Sequence, residues 1–147
     1  MSIPEEIRQT CAEITDIKQF MYESPSVENI RMDKAEFPCA VLLCLTTTII
    51  DTSLGYQRES AECNLMFVVK ADSIDFDGWK NQAKVDAMKQ LAMRFYVKLQ
   101  ERGNLSVDGT QLRFDSIFNR DDVLTTGISF QFRAIEKVGQ CIEWVSE

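Results

Sequence analysis

Ala61, Cys63, Leu65, Phe67 and Val69 alternate with Glu62, Asn64, Met66 and Val68. A period of two over residues 58–70 demands a strand with one buried face. The pattern returns near the C-terminus. Leu112, Phe114 and Ser116 alternate with Gln111, Arg113 and Asp115, and Ile128, Phe130, Phe132 and Ala134 with Ser129, Gln131, Arg133 and Ile135. Phe114, Phe130 and Phe132 are expected to share one aromatic layer. Another strand is expected over residues 37–50, apolar on both faces at its start and rich in Thr and Ile at its end. That profile predicts a strand covered on both sides early and exposed later. Residues 51–57 form the turn that makes 37–50 and 58–70 a long hairpin. Residues 119–122, Asn-Arg-Asp-Asp, turn the C-terminal hairpin.

Elsewhere the period is helical. Ser2 stands three residues before Glu5, a capping-box spacing, and Pro4 is tolerated in a first turn. Ile3, Ile7, Cys11, Ile14, Ile17 and Met21 then give one apolar face, predicting a helix that fades near Tyr22. A second helix is expected from Trp79 to Arg102, stopped by Gly103, with Val85, Met88, Leu91, Ala92, Phe95 and Leu99 as its main stripe. Residues 27–32 are a candidate short strand. The resulting order, α–(β)–β–β–α–β–β, predicts an α+β domain: a mainly antiparallel sheet with two helices packed on one face. Neither a repeat nor a linker divides the 147 residues, so one domain over 1–147 is expected. Its segment 138–147 is apolar enough to dock on its own domain or on a neighbouring subunit.

Function classes thin out quickly. The chain has no histidine, which removes Ser-His and Cys-His nucleophiles, His-containing metal sites and the commonest general base. A net charge of −7 argues against specific nucleic-acid binding, which relies on Lys and Arg neutralising phosphates. Phosphate-cradling glycine motifs are absent. The five cysteines include no CxxC pair, and reduced, packed thiols of a cytosolic protein are expected. The Asp75/Asp77 and Asp121/Asp122 pairs read as helix-start and loop acids. No secretory signal or membrane span is expected from the sequence. No catalytic residue, metal or cofactor is therefore assigned, and a non-enzyme is expected.

What stands out is surplus surface. Leu54 and Tyr56 fall in the first hairpin turn, Trp79 at a helix start, Arg120 and Asp121 in the second turn, and Trp144 near the C-terminus. Large groups at edges are candidate protein contacts, since a few aromatic and Arg anchors carry most interface energy.

The element order, read with the hairpin Phe114-Asp115-Ser116-Ile117-Phe118 and Leu124-Thr125-Thr126-Gly127-Ile128-Ser129-Phe130-Gln131-Phe132-Arg133, resembles phage tail-terminator and tail-completion proteins. These are the lambda minor tail protein U-like and related head–tail joining families. The resemblance implies a structural virion subunit assembled in the host bacterial cytoplasm. It would join copies of itself into a ring, typically a hexamer, contacting the tail tube protein and the head connector protein. The other expectation is a small cytosolic protein-binding adaptor module.

Overall fold

The computed structural model describes residues 2–22, 36–43, 45–50, 56–70, 78–107, 112–120, 125–138 and 140–141. Its first helix, α1, spans Ile3–Ala12. The Ser2 hydroxyl accepts the Glu5 N–H at 3.3 Å, and Pro4 occupies the first turn, where a missing N–H is harmless. The helix stops at Ala12 rather than near Tyr22. Glu13 is its C-cap, and Thr15 and Asp16, whose side chains compete for the backbone, come two residues later. The chain then extends as β1 (Gln19–Tyr22). Ile14 and Ile17 stay with the helix-side core, while Met21 is buried on the opposite face of the sheet. Their helical spacing is thus kept by three different local structures.

The expected strand over residues 37–50 is two strands, β2 (Cys39–Leu42) and β3 (Thr46–Ile50), lying end to end along one edge of β4 (Tyr56–Lys70). Leu42 opposes Leu65 and Thr46 opposes Glu62, so three residues of one strand face two of β4. That extra residue is a β-bulge, and it reverses which side chains face the helices. Ala40 and Leu42 lie in the helix-side core. After the bulge it is Thr47 that shares the face of Ala61. The candidate strand over residues 27–32 lies outside the described residues.

On its other edge β4 pairs antiparallel with β7 (Thr125–Glu136) over eleven positions, Ser60↔Ile135 to Lys70↔Thr125. The far edge of β7 carries two short partners, β6 (Arg113–Arg120) and β5 (Leu105–Val107). With three residues, β5 is too short to show a period, and sequence patterning misses it. Arg120 closes β6 opposite Thr125, so it is a strand residue and not part of the expected turn. Finally β8 (Gln140–Cys141) pairs with Tyr56 and Gln57. The sheet is antiparallel except for β1 alongside β2. It has two lateral rows: β1-β2-β4-β7-β6 at one end and β3-β4-β7-β5 at the other.

Both helices pack on one face, as the α+β reading requires. After a 3₁₀ turn (Gly78–Asn81), the second helix, α2, spans Gln82–Arg102 and ends on Gly103 in the left-handed conformation. Its stripe of Val85, Met88, Leu91, Ala92, Phe95 and Leu99 is buried against β4 and β7. Phe95 sits between Phe67, Phe130 and Phe132, with ring centroids 5.7, 6.4 and 6.0 Å away. Phe114 stacks on Phe130 at 4.9 Å, which completes the aromatic layer. Ten residues of α1 would not hold as an isolated helix. Burying Ile3, Ile7 and Cys11 in that core supplies its stability, at about 1.5–3 kcal/mol for a large apolar side chain.

The opposite face of the sheet is divided. At the end near β1, Met21, Cys39, Val41, Met66 and Val68 form a second buried cluster, packed against Phe37, Leu43 and Ile117. That is why Met66 and Val68 interrupt the polar positions of β4. Towards the other end the face turns polar, with Glu62 and Asn64 of β4 beside Gln131 and Arg133 of β7.

Candidate interaction surfaces

The β3–β4 ribbon is the least supported part of the domain. Four of the five β3 residues are exposed, those on both faces of the strand, and its sequence Thr-Thr-Thr-Ile-Ile has no charge. Ile49 faces the helix-covered side yet is 45% exposed, because the helical layer does not reach it. β4 is 15 residues long, so at about 3.3 Å per residue it spans close to 50 Å. Its core-lining part is Ala61 to Phe67. Near the start of β4, Tyr56 pairs with Cys141 and Arg58 with Ile50, so β8 and β3 take up its opening residues in turn.

The predicted contact residues fall at two ends of the sheet. Tyr56 opens β4 at the ribbon end. Trp79 lies at the other end, just before α2, where Lys84 Nζ donates to the Lys70 carbonyl at 2.6 Å. Arg120 is at that same end, since Thr125 pairs with both Arg120 and Lys70. Trp79 is 81% exposed. Leu54, Asp121 and Trp144 lie outside the described residues. Sequence reading missed Ile49, which is exposed and apolar, whereas Val138, also exposed, opens the segment 138–147 expected to dock. Val97, on the side of α2 opposite its stripe, is half exposed.

Helices α1 and α2 are clamped together by charge. Arg102 Nε and Nη2 donate to the two carboxylate oxygens of Glu6 at 2.6 and 3.1 Å, while Nη1 donates to Glu13 at 2.7 Å. Asn104 Nδ2 donates to the same Glu6 carboxylate at 3.0 Å. Glu6 is wholly buried. Burial pushes its carboxyl up, but the hydrogen bonds from Arg102 and Asn104, with the guanidinium charge, outweigh that and hold it below the usual glutamate range. A groove of about 410 Å³ runs beside this clamp, floored by Ile14, Met93 and Val97. Ion pairs rim it, Asp16–Arg94 at 2.5 Å and Glu13–Lys98 at 3.9 Å.

Cys11, Cys39 and Cys63 are buried and in no disulfide. Burial pushes the Cys11 thiol far up and raises Cys63 to about 12, so neither supplies a thiolate near neutral pH. Alkylation followed by peptide mass mapping should leave Cys11 and Cys63 unmodified in the native protein and label both in denaturant. Native labelling of either would contradict their packing.

Among the described residues, no three acidic or cysteine side chains are grouped to hold a metal ion. No described helix is long and apolar enough to cross a membrane. Compared with protein-family models and with curated proteins, the chain finds no match.

Proposed function

We propose that the protein is a structural subunit of a tailed-phage particle, a tail-terminator or head–tail joining protein that forms a ring, caps the tail tube and meets the head connector. The reading rests on the resemblance in element order and C-terminal hairpin. The observation that supports it best is the β3–β4 ribbon, in which four of the five β3 residues are exposed, on both faces of the strand. A subunit in a ring must offer two different surfaces to two neighbours, and such heterologous contacts close when the rotation per subunit is right. Trp79 at one end of the sheet and Tyr56 at the other are then candidate contacts to two neighbours. A net charge of −7 suits a passage that DNA traverses without being held.

Absolute mass by light scattering across a concentration series, with negative-stain images, tests the ring. The expected result is one closed oligomer, a hexamer, with a central hole, formed alone or on addition of tail tube protein. A monomer under both conditions overturns the reading. The groove beside α2 favours a second reading, an adaptor that seats an apolar segment of a partner between the ion pairs. Such an adaptor stays small at every concentration.

A further inference from the structure

The open edges of the sheet are unequal. Edge strands present unpaired N–H and C=O groups, and proteins blunt them with charges, proline, bulges or covering groups. The β5 edge is capped, since Gln100 Nε2 donates to the Val107 carbonyl at 3.3 Å. β1 is four residues long. β6 bears Arg113 and Asp115, and a bulge interrupts it between Ile117 and Arg120. β3 has none of these devices within its five residues. Among the described residues it pairs with β4 alone, and the last described pair of β1 is Tyr22 with Leu42. Among the described residues the outer edge of β3 is therefore unpaired, and it is uncharged and rich in β-branched residues, the side chains that suit a paired strand.

We propose that β3 joins subunits, by pairing antiparallel with β6 of a second copy of this chain, so that the sheet continues head to tail. The inference rests on the ring reading and names its contact. Strand direction fits. β3, β4, β7 and β6 alternate in sense across the sheet, so a copy in the same orientation brings its β6 antiparallel to β3. Antiparallel pairing is the more stable form.

Charge fits as well. Glu62 of β4 is exposed and lies behind Thr46, a short side chain. Arg113 of β6 is 72% exposed, and its contact with Asp115 is a loose 3.8 Å. A strand added beside β3 stands about 10 Å from β4, two strand spacings, which an arginine reaching across Thr46 spans. Pairing β3 with β3 of another copy instead sets Glu62 and Glu59 of both chains on the two sides of the seam, in a protein already at −7. The opposite-edge pairing relieves that repulsion.

The test uses two variants of the full chain, Thr46→Cys and Asp115→Cys, each on an exposed strand position and on the sheet face that carries Glu62 and Arg113. A short bismaleimide is added to whichever preparation forms the oligomer, with the unsubstituted chain as control, and cross-linked peptides are identified by mass spectrometry. The expected result is a 46–115 cross-link in the mixture of the two variants and in neither alone. A 46–46 cross-link in Thr46→Cys alone means β3 pairs with itself and overturns the proposal. A closed ring with no cross-link overturns the proposal but leaves the ring reading standing, whereas no oligomer under any condition overturns both. As a second measurement, Thr48→Lys should raise the concentration needed for assembly at least tenfold with unchanged circular dichroism and melting temperature. Unchanged assembly of Thr48→Lys also overturns the proposal.

Discussion

Replacing Arg102 by alanine should destabilise the domain by about 3–5 kcal/mol, because it leaves the buried Glu6 carboxylate without its cation. For a chain of this size that is a fall in melting temperature of roughly 10–20 °C. The cost arises from asymmetry. Glu6 is wholly buried, and two of its three side-chain hydrogen bonds come from Arg102. With the guanidinium gone, Asn104 alone remains, and one amide does not replace a charge. By contrast, losing Arg94 breaks only the Asp16 pair, where both side chains are more than half exposed. Arg94→Ala should cost under about 1 kcal/mol. Equal losses in the two variants, read by chemical denaturation, would show that burial of Glu6 does not govern the clamp.

The same pair sets a pH dependence. The Glu6 carboxyl is held below its ordinary value of 4.5 in the folded chain, so the unfolded chain takes up its proton first as pH falls. Its stabilising contribution is therefore complete well above pH 4.5 and is lost as pH drops through the folded value. Glu6→Leu combined with Arg102→Met should restore much of the stability lost in Arg102→Ala, since apolar side chains of similar volume often match a buried pair. Asn104 is exposed, and water then serves its amide. The double variant should also show a weaker acid dependence than the unsubstituted chain.

What the sequence declares and what it hides differ by physical cause. The helix-side faces of β4, β7 and α2 are legible because one buried face imposes a period, and period survives without knowledge of the partners. Helix α1 is legible in place but not in length. Ile14, Ile17 and Met21 are buried by a turn and by β1, and burial leaves the same apolar spacing whatever backbone carries it. The bulge between Leu42 and Thr46 is invisible for a related reason. A run apolar on both faces has no parity to lose, so a one-residue insertion leaves no mark. The Glu6–Arg102 clamp joins positions 96 residues apart, and no local rule pairs them. Trp79 is legible as an exposed aromatic by its place at a helix start. The β3 edge is readable only in part. Its Thr-Thr-Thr-Ile-Ile sequence reads as an exposed strand, but that it pairs with β4 alone among the described residues follows from a register no local pattern encodes.

Gly127→Ala should be the most damaging single substitution in the sheet, with no folded protein recovered or a loss of more than about 4 kcal/mol, a size reserved for specific structural insults. A Cβ on Gly127 would lie 2.0 Å from the Phe67 carbonyl oxygen and 3.0 Å from the Val68 Cα. Those are backbone atoms of β4, and they cannot swing aside as a side chain does. β4 is held in place on its other edge, where Ala40 opposes Phe67, and from above by Phe95 against the Phe67 ring. β7 is held by β6, whose Ile117 opposes Gly127 and whose carbonyl accepts the Thr126 hydroxyl at 2.6 Å. Separating the two strands enough for a methyl group breaks the central ladder on both sides of the position. Gly103→Ala supplies the control. Gly103 has φ of +75° but nothing within 4 Å of an added Cβ. Its substitution carries only the backbone cost of a left-handed residue, about 1–2 kcal/mol. Chemical denaturation of both variants should therefore give losses differing severalfold. Similar losses would mean that the close approach of β7 to β4 at Gly127 yields easily, and that backbone conformation alone selects glycine there.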